Sequence, residues 1–282
     1  MILIADCGST KIDWCAVAEN GKVEKQVFTC GMNAVMLTEE EMCKRIAAEL
    51  MPELAERAQA ISAVYFYGAG CISPEVCANV ERAIRANIPA AATVEVHTDL
   101  LAAARALCGR EPGIACILGT GSNSCFYDGK DIADNVSPLG YILGDEGSGA
   151  VLGKLLVGDV LKGQLPAELC EKFLKQYDLT LLDIIRRVYR EPQGNRFLAS
   201  LTPFLIENIE VPQVRELVLG SFRAFFCRNV SHYDGRSDKR ANFVGSIAYY
   251  YRDILAEAAS ECGYTVGTVL KSPMEGLIKF HS

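Results

Sequence analysis

Ile2-Leu3-Ile4-Ala5-Asp6-Cys7-Gly8-Ser9-Thr10-Lys11 opens the chain, and Ile114-Ala115-Cys116-Ile117-Leu118-Gly119-Thr120-Gly121-Ser122-Asn123 repeats its plan further on. Each stretch is a short apolar run that reads as a strand, followed by a turn of Gly, Ser and Thr and then a second strand. Working outward from the first, strands are expected over 2–6, 11–18 and 22–29. Asn20-Gly21 between alternating apolar residues marks a tight hairpin, so the chain begins as an antiparallel meander. Thr38 followed by Glu41 makes a capping box for a helix that Pro52 interrupts. A strand over 61–67, a helix after Pro74, a strand over 93–97 and a helix over about 100–108 complete the order β-β-β-α-β-α-β-α.

The plan restarts near Gly113 with a strand over 114–118, the turn 119–123 and a strand that ends before Asp128-Gly129. A helical region over roughly 147–233 follows, then a strand over 242–244, a helix over 247–262, a strand over 265–270 and a short helix after Pro273. The reading is a duplicated α/β architecture with domains over 1–110 and 111–282, the terminal helix packing back on the first, and no low-complexity linker.

Composition narrows the function classes. The 282 residues are 50% apolar and 22% charged with a mean hydropathy of +0.15, which suits a globular chain with a sizeable core. A net charge of −7 provides no positive field to collect nucleic acid or anionic lipid. No apolar run is long enough for a membrane span, and the first residues lack a secretory pattern. Twelve cysteines are scattered with no C-x-x-C, and the three histidines are not at ligand spacing, so buried free thiols in a reducing cytoplasm are expected.

Gly8, Ser9, Thr10 and Lys11, and Gly119, Thr120, Gly121 and Ser122, form two loops suited to phosphate, because glycine lets the backbone approach an anion while N–H and hydroxyl groups donate. Either loop alone is also ordinary hairpin chemistry; matching placement in two similar halves favours a nucleotide. Other nucleotide signatures fail. Residues 147–155 resemble a P-loop without its spacing and read as an ordinary helix, and Gly119-Thr120-Gly121 lacks the third glycine of a dinucleotide fingerprint. Three acidic positions lie at strand ends or turns. Asp6 can hold Mg²⁺ or serve as a turn former. Asp99 can take a proton from an attacking hydroxyl or act as a helix N-cap. Asp145-Glu146, between glycines, can bond substrate hydroxyls or complement a helix dipole.

At these residues the sequence resembles the BadF/BadG/BcrA/BcrD ATPase family, and within it the N-acetylglucosamine kinases, which belong to the sugar kinase, heat-shock protein and actin fold. The resemblance is carried, in order, by Asp6-Cys7-Gly8-Ser9-Thr10, Thr98-Asp99, 118–123, Gly144-Asp145-Glu146-Gly147-Ser148 and Val244-Gly245-Ser246. It implies two ribonuclease-H-like (actin-like ATPase) domains with a cleft between them, closing over ATP and Mg²⁺ with a sugar between the domains. Asp99 would be the base for a sugar hydroxyl, the 6-hydroxyl of N-acetylglucosamine or a related amino sugar. Asn33, Asn123, Gly140 and Asp145 would line the sugar pocket, the two loops would hold phosphates, Gly245 and Ser246 would lie beside the adenosine, and Asp6 would hold the metal. A homodimer is compatible with the resemblance. The sequence departs from the pattern at Leu139, where those kinases carry Trp, at Leu100-Leu101, where small residues are usual, and at Lys11, where Arg is frequent. Two alternatives accompany this reading: an ATPase activator of a dehydratase sharing an iron–sulfur cluster between subunits, and a non-catalytic sugar or nucleotide sensor.

Overall fold

The computed structural model describes residues 1–8, 11–236 and 238–282. They form two units, one of 1–111 with 129–131 and 273–282, the other of 112–128 with 132–272. The first unit contains β1 (Ile2–Cys7), β2 (Lys11–Val17), β3 (Val23–Cys30), β4 (Ala63–Gly68) and β5 (Thr93–Thr98) in the spatial order β3-β2-β1-β4-β5. The first three strands are antiparallel, and β1, β4 and β5 are parallel. Asn20-Gly21 makes the expected turn: Gly21 has φ +78°, and its N–H donates to Ala18 O at 2.9 Å. The unbroken apolar run of β1 is explained by its central place. Leu3, Ala5 and Cys7 face one core with Trp14 and Phe66, while Ile4 faces another with Tyr67 and Ala102.

The capping box forms as expected, with Thr38 N–H donating to Glu41 Oε2 at 2.8 Å at the start of α1 (Glu39–Arg45). Pro52 does not interrupt the helical path. A widened π turn over Ile46–Leu50, with Met51 N–H donating to Ile46 O, leads into α2 (Met51–Leu54), where the proline occupies the first turn. Then come α3 (Pro74–Asn87), capped by Ser73, and α4 (Asp99–Cys108).

The second unit repeats the topology with β6 (Gly113–Leu118), β7 (Ser122–Tyr127), β8 (Ile132–Val136), β9 (Arg240–Val244) and β10 (Thr265–Leu270) in the order β10-β9-β6-β7-β8. Between β8 and β9 lie α5 (Gly140–Leu143), α6 (Gly149–Leu161), α7 (Ala167–Gln176), α8 (Leu181–Tyr189), α9 (Gly194–Ser200), α10 (Pro203–Glu207) and α11 (Pro212–Arg228). The stretch that mimics a P-loop is the buried helix α6. Gly153 is glycine there because a Cβ would collide with the backbone of Leu198, so its reason is helix packing. Phe222, Phe225, Phe226 and Phe243 fill the core between α11 and the sheet. The single helix expected over 247–262 is two, α12 (Ser246–Tyr250) and α13 (Arg252–Glu261). The backbone turns at Tyr251, whose buried hydroxyl donates to Thr202 O at 2.6 Å.

The chain then returns to the first unit as α14 (Met274–His281), whose Met274 and Leu277 pack with Ala102 of α4. Among the described residues, no helix is long and apolar enough to cross a membrane.

Candidate active site

In the first unit the site residues gather at the carboxyl ends of β1 and β5, where open α/β sheets bind ligands. Asp6 is the penultimate residue of β1 and lies in register with Asp13 of β2, which sets both carboxylates on one face of the sheet. Asp13 is buried and accepts from Gln26 Nε2 at 2.8 and 3.1 Å. The Asp6 carboxyl is pushed up to about 7, first by burial and then by Asp13 and Asp99, with only Lys11 pulling the other way. Gly8 N–H donates to Lys11 O at 3.0 Å across the hairpin, and the Lys11 ammonium lies 4.6 Å from the centre of the Phe28 ring. Ser9 and Thr10, expected in the first phosphate loop, lie outside the described residues.

Asp99 corrects one expectation. The N-cap of α4 is Thr98, whose hydroxyl accepts from Leu101 N–H at 3.1 Å, and Asp99 is the first residue inside the helix. The capping role weighed for Asp99 therefore belongs to its neighbour. Burial raises its carboxyl above the usual range, against the N–H groups of Leu100 and of Asp99 itself. Asn33 follows β3 at the same end of the sheet; its Oδ1 accepts from Val35 N–H at 3.1 Å, and a Cβ on Gly70 would meet that oxygen at 2.7 Å.

In the second unit, the loop 119–121 is held from behind by the start of α6. Gly149 N–H donates to Gly119 O at 2.8 Å and Ala150 N–H to Thr120 O at 3.0 Å, which satisfies two helix-terminal donors and fixes the loop. A Cβ on Gly119 would meet nothing within 4 Å, so that side of the loop is open. Gly121 and Gly245 have other reasons to be glycine. A Cβ on Gly121 would sit 3.0 Å from Asp145 Oδ2. Gly245 has φ +125°, and a Cβ there would strike the carbonyl of Leu118. The close approach required of Gly245 is thus to the second loop, where sequence reasoning pictured adenosine.

Asp145 is a non-glycine residue in the left-handed region, φ +57°. Its carboxylate accepts from the N–H groups of Ser122 and Gly140; burial and the Glu146 charge raise its pKa while those donors and Lys154 oppose. Gly140 has φ +73°, and a Cβ there would meet nothing within 4 Å. Asn123, in β7, accepts on Oδ1 from Ser124 N–H at 2.9 Å and Asn135 Nδ2 at 3.0 Å. A polar cavity of about 70 Å³ is lined by Ser122, Asp145, Glu146, Arg228 and Asn229, with Leu139 among its apolar walls. A larger groove of about 770 Å³ between α6 and α11 is mostly apolar and lacks the loops.

Sequence reasoning missed Asp13, Glu146 as an ion-pair partner, and Arg228. Asp13 had a signal, a lone acid inside the apolar strand Ile12-Asp13-Trp14. Arg228 had none, because its pairing with Glu146 joins the last turn of α11 to a distant loop.

Asp13 and Asp99 both push the Asp6 carboxyl up against a single opposing lysine, and the Gly119 side of the second loop is open, but among the described residues no three His, Cys, Asp or Glu side chains are grouped so as to hold a metal ion. Two units of identical strand order with glycine loops after β1 and β6 define a member of the actin-like ATPase fold. No family model and no curated protein matches the sequence. Among solved structures, a provisionally named N-acetylglucosamine kinase from Porphyromonas gingivalis is 51% identical, over 100% of this chain and 98% of that one, with a TM-score of 0.96. A second protein so named, from Chromobacterium violaceum, is 18% identical with a TM-score of 0.78, covering 100% and 99%. A ROK family glucokinase from Streptomyces griseus, solved with glucose and AMPPNP, is 14% identical with a TM-score of 0.60, covering 99% and 97%. The last two share the fold alone. The chain belongs to the family of the Porphyromonas protein, the N-acetylglucosamine kinase-like proteins of the actin-like ATPase fold.

Proposed function

We propose that the protein is an ATP-dependent sugar kinase acting on the 6-hydroxyl of N-acetylglucosamine or a related amino sugar. The observation that carries this reading is Asp99, a partly buried carboxylate at the first position of α4 whose capping duty is done by Thr98. Relieved of that task and made more basic by burial, Asp99 takes the proton of the attacking hydroxyl. ATP with Mg²⁺, when bound, supplies the phosphoryl group and a cation that offsets its charge. Asp6 would hold the cation, with Lys11, Gly8, Ser9 and Thr10 on one phosphate loop and Gly119, Thr120, Gly121 and Ser122 on the other.

Asp145, oriented by the N–H groups of Ser122 and Gly140, accepts from sugar hydroxyls, and Asn123 and Asn33 donate through their amides. Gly245 and Ser246 stand at the nucleoside end. Leu139, more than half exposed, replaces the aromatic wall of related kinases with an aliphatic one. Twelve free cysteines suit the reducing cytoplasm.

The test is ADP release with N-acetylglucosamine, glucosamine, glucose, N-acetylmannosamine and muramic-type sugars. A strong preference for an N-acetylated hexosamine, with product phosphorylated at the 6-position, is expected. ATP binding without turnover on any sugar would favour a sensor and overturn the kinase reading.

A further inference from the structure

The loop that presents Asp145 carries a second acid, Glu146, which nothing above employs. The left-handed backbone at Asp145 sends the two adjacent carboxylates apart: Asp145 accepts from Ser122 and Gly140, whereas Glu146 reaches the carboxyl end of α11. There its side chain is only 18% exposed and meets Arg228 Nε at 2.6 Å, with Asn229 Nδ2 at 3.5 Å. That location is unfavourable for an isolated anion, since the end of a helix of 17 residues presents unsatisfied carbonyls and a partial negative charge. A carboxylate held at such a place needs its counter-ion, and Arg228 is in the last turn of the same helix. The same loop is tied at two further points, Gly147 N–H to Ser221 Oγ at 3.1 Å and Lys154 Nζ to Tyr141 O at 2.7 Å.

We propose that Arg228 is a positioning residue for sugar recognition: by holding and neutralising Glu146 at the end of α11, it leaves the neighbouring Asp145 carboxylate aimed and charged for sugar hydroxyls. The proposal rests on the sugar-kinase reading for its consequence, but the coupling between the side chains does not. The groups that face Asp145 are Glu146 on its own loop, Lys154 from α6, and the N–H groups of Ser122 and Gly140; Arg228 acts through Glu146. Removing the guanidinium leaves a half-shielded anion beside Asp145 and loosens the loop. Removing the Glu146 charge has the opposite electrostatic effect. The two changes therefore predict opposite movements, which a general loss of packing would not produce.

The experiment is a ¹³C carboxyl titration of aspartate-labelled protein without ligand, with the Asp145 signal assigned by its loss in D145N. R228Q is expected to move the Asp145 midpoint up by about one pH unit, E146Q to move it down, and E146Q/R228Q to lie between, with R228K near wild type because the charge remains. In the ADP-release assay at pH 6, R228Q is expected to raise the sugar KM about tenfold while kcat and the ATP KM stay within about twofold. An Asp145 midpoint that is unmoved in folded R228Q overturns the proposal, as does an equal rise in sugar and ATP KM. If the midpoints move as stated but no sugar is turned over by the wild-type protein, the coupling stands and the kinase reading falls.

Discussion

Replacing Asp99 with asparagine separates chemistry from stability. The cap of α4 is untouched, because the bond from Leu101 N–H to the Thr98 hydroxyl, 3.1 Å long, involves neither form of residue 99. The variant loses the attraction between a carboxylate and the helix N-terminus, about 0.3–1 kcal/mol. It also sheds the cost of keeping a charge buried within the field of Asp6, the burial that raises the Asp99 carboxyl. These terms oppose each other, so the melting temperature should stay within about 3 °C of wild type. Turnover should fall by about 10²–10⁴, equivalent to roughly 3–5 kcal/mol on the barrier, because the amide cannot take the hydroxyl proton. The comparison that sharpens the result is Thr98→Ala, which removes the cap at about 1 kcal/mol and lowers melting by about 2–4 °C while leaving the carboxylate. Calorimetry and sugar-dependent ADP release on both variants give a crossed pattern if the reasoning holds. Asp99→Asn turning over at close to the wild-type rate, or melting lower than Thr98→Ala, would refute it.

Gly245→Ala should be strongly destabilising, by about 2 kcal/mol or more, since its Cβ meets the Leu118 carbonyl and its φ is +125°, whereas Gly119→Ala should melt normally and weaken ATP binding; calorimetry and nucleotide titration distinguish the two. Asp6→Asn should raise the melting temperature of protein free of divalent ions, and by more at pH 8 than at pH 5. The sign follows from a folded-state carboxyl at about 7: the folded form binds its proton more tightly, so ionised Asp6 costs stability increasingly as pH rises towards that value. The same variant should lose Mg²⁺-dependent turnover. His281, stacked on Tyr65 at 3.8 Å and bonded to the Tyr67 hydroxyl at 2.7 Å, is held down to about 4 by burial and by Arg105. The unfolded chain then binds the extra proton between pH 6.5 and 4, so this contribution is complete above pH 6.5 and is lost on acidification through that window, about 2 kcal/mol after allowing for solvent screening. Urea unfolding at pH 7 and pH 4.5 should show a shallower pH dependence for His281→Phe than for wild type; equal slopes would contradict the assignment.

The strands were legible because their signals are local. The apolar run of β1, the Asn20-Gly21 turn, the Thr38 capping box and the whole of β10 each depend on residues within one turn or one strand. Pro52 was misread because a proline in the first turn of a new helical segment is indistinguishable in sequence from one that breaks an existing helix. The break at Tyr251 depends on a hydroxyl bond to Thr202 on a different helix connection, which no local pattern encodes. At the candidate site, Asp6, Asp99 and Asp145 could be singled out from their places at strand ends and between glycines. The choice of cap between Thr98 and Asp99 turned on a helix boundary finer than periodicity resolves. Gly121 and Gly245 were recognised as necessary glycines, but the atoms that require them, the Asp145 carboxylate and the Leu118 carbonyl, belong to segments that only the fold brings near.

The return of α14 to the first unit leaves a core that begins at β1 to be completed only after the second unit has been made. Ile4, Cys15, Val17 and Tyr67 leave the ribosome early, yet Met274 and Leu277, which complete that core, emerge only after the entire second unit. Gly276 lies so close to the Ala106 carbonyl that a side chain there would prevent docking on α4, the helix that begins with Asp99. Until α14 has been made, the first unit therefore lacks the apolar side chains that complete this core. A chain cut before Met274 would still hold every loop residue of the first unit but would leave α4 without the cover that Met274 and Leu277 give Ala102.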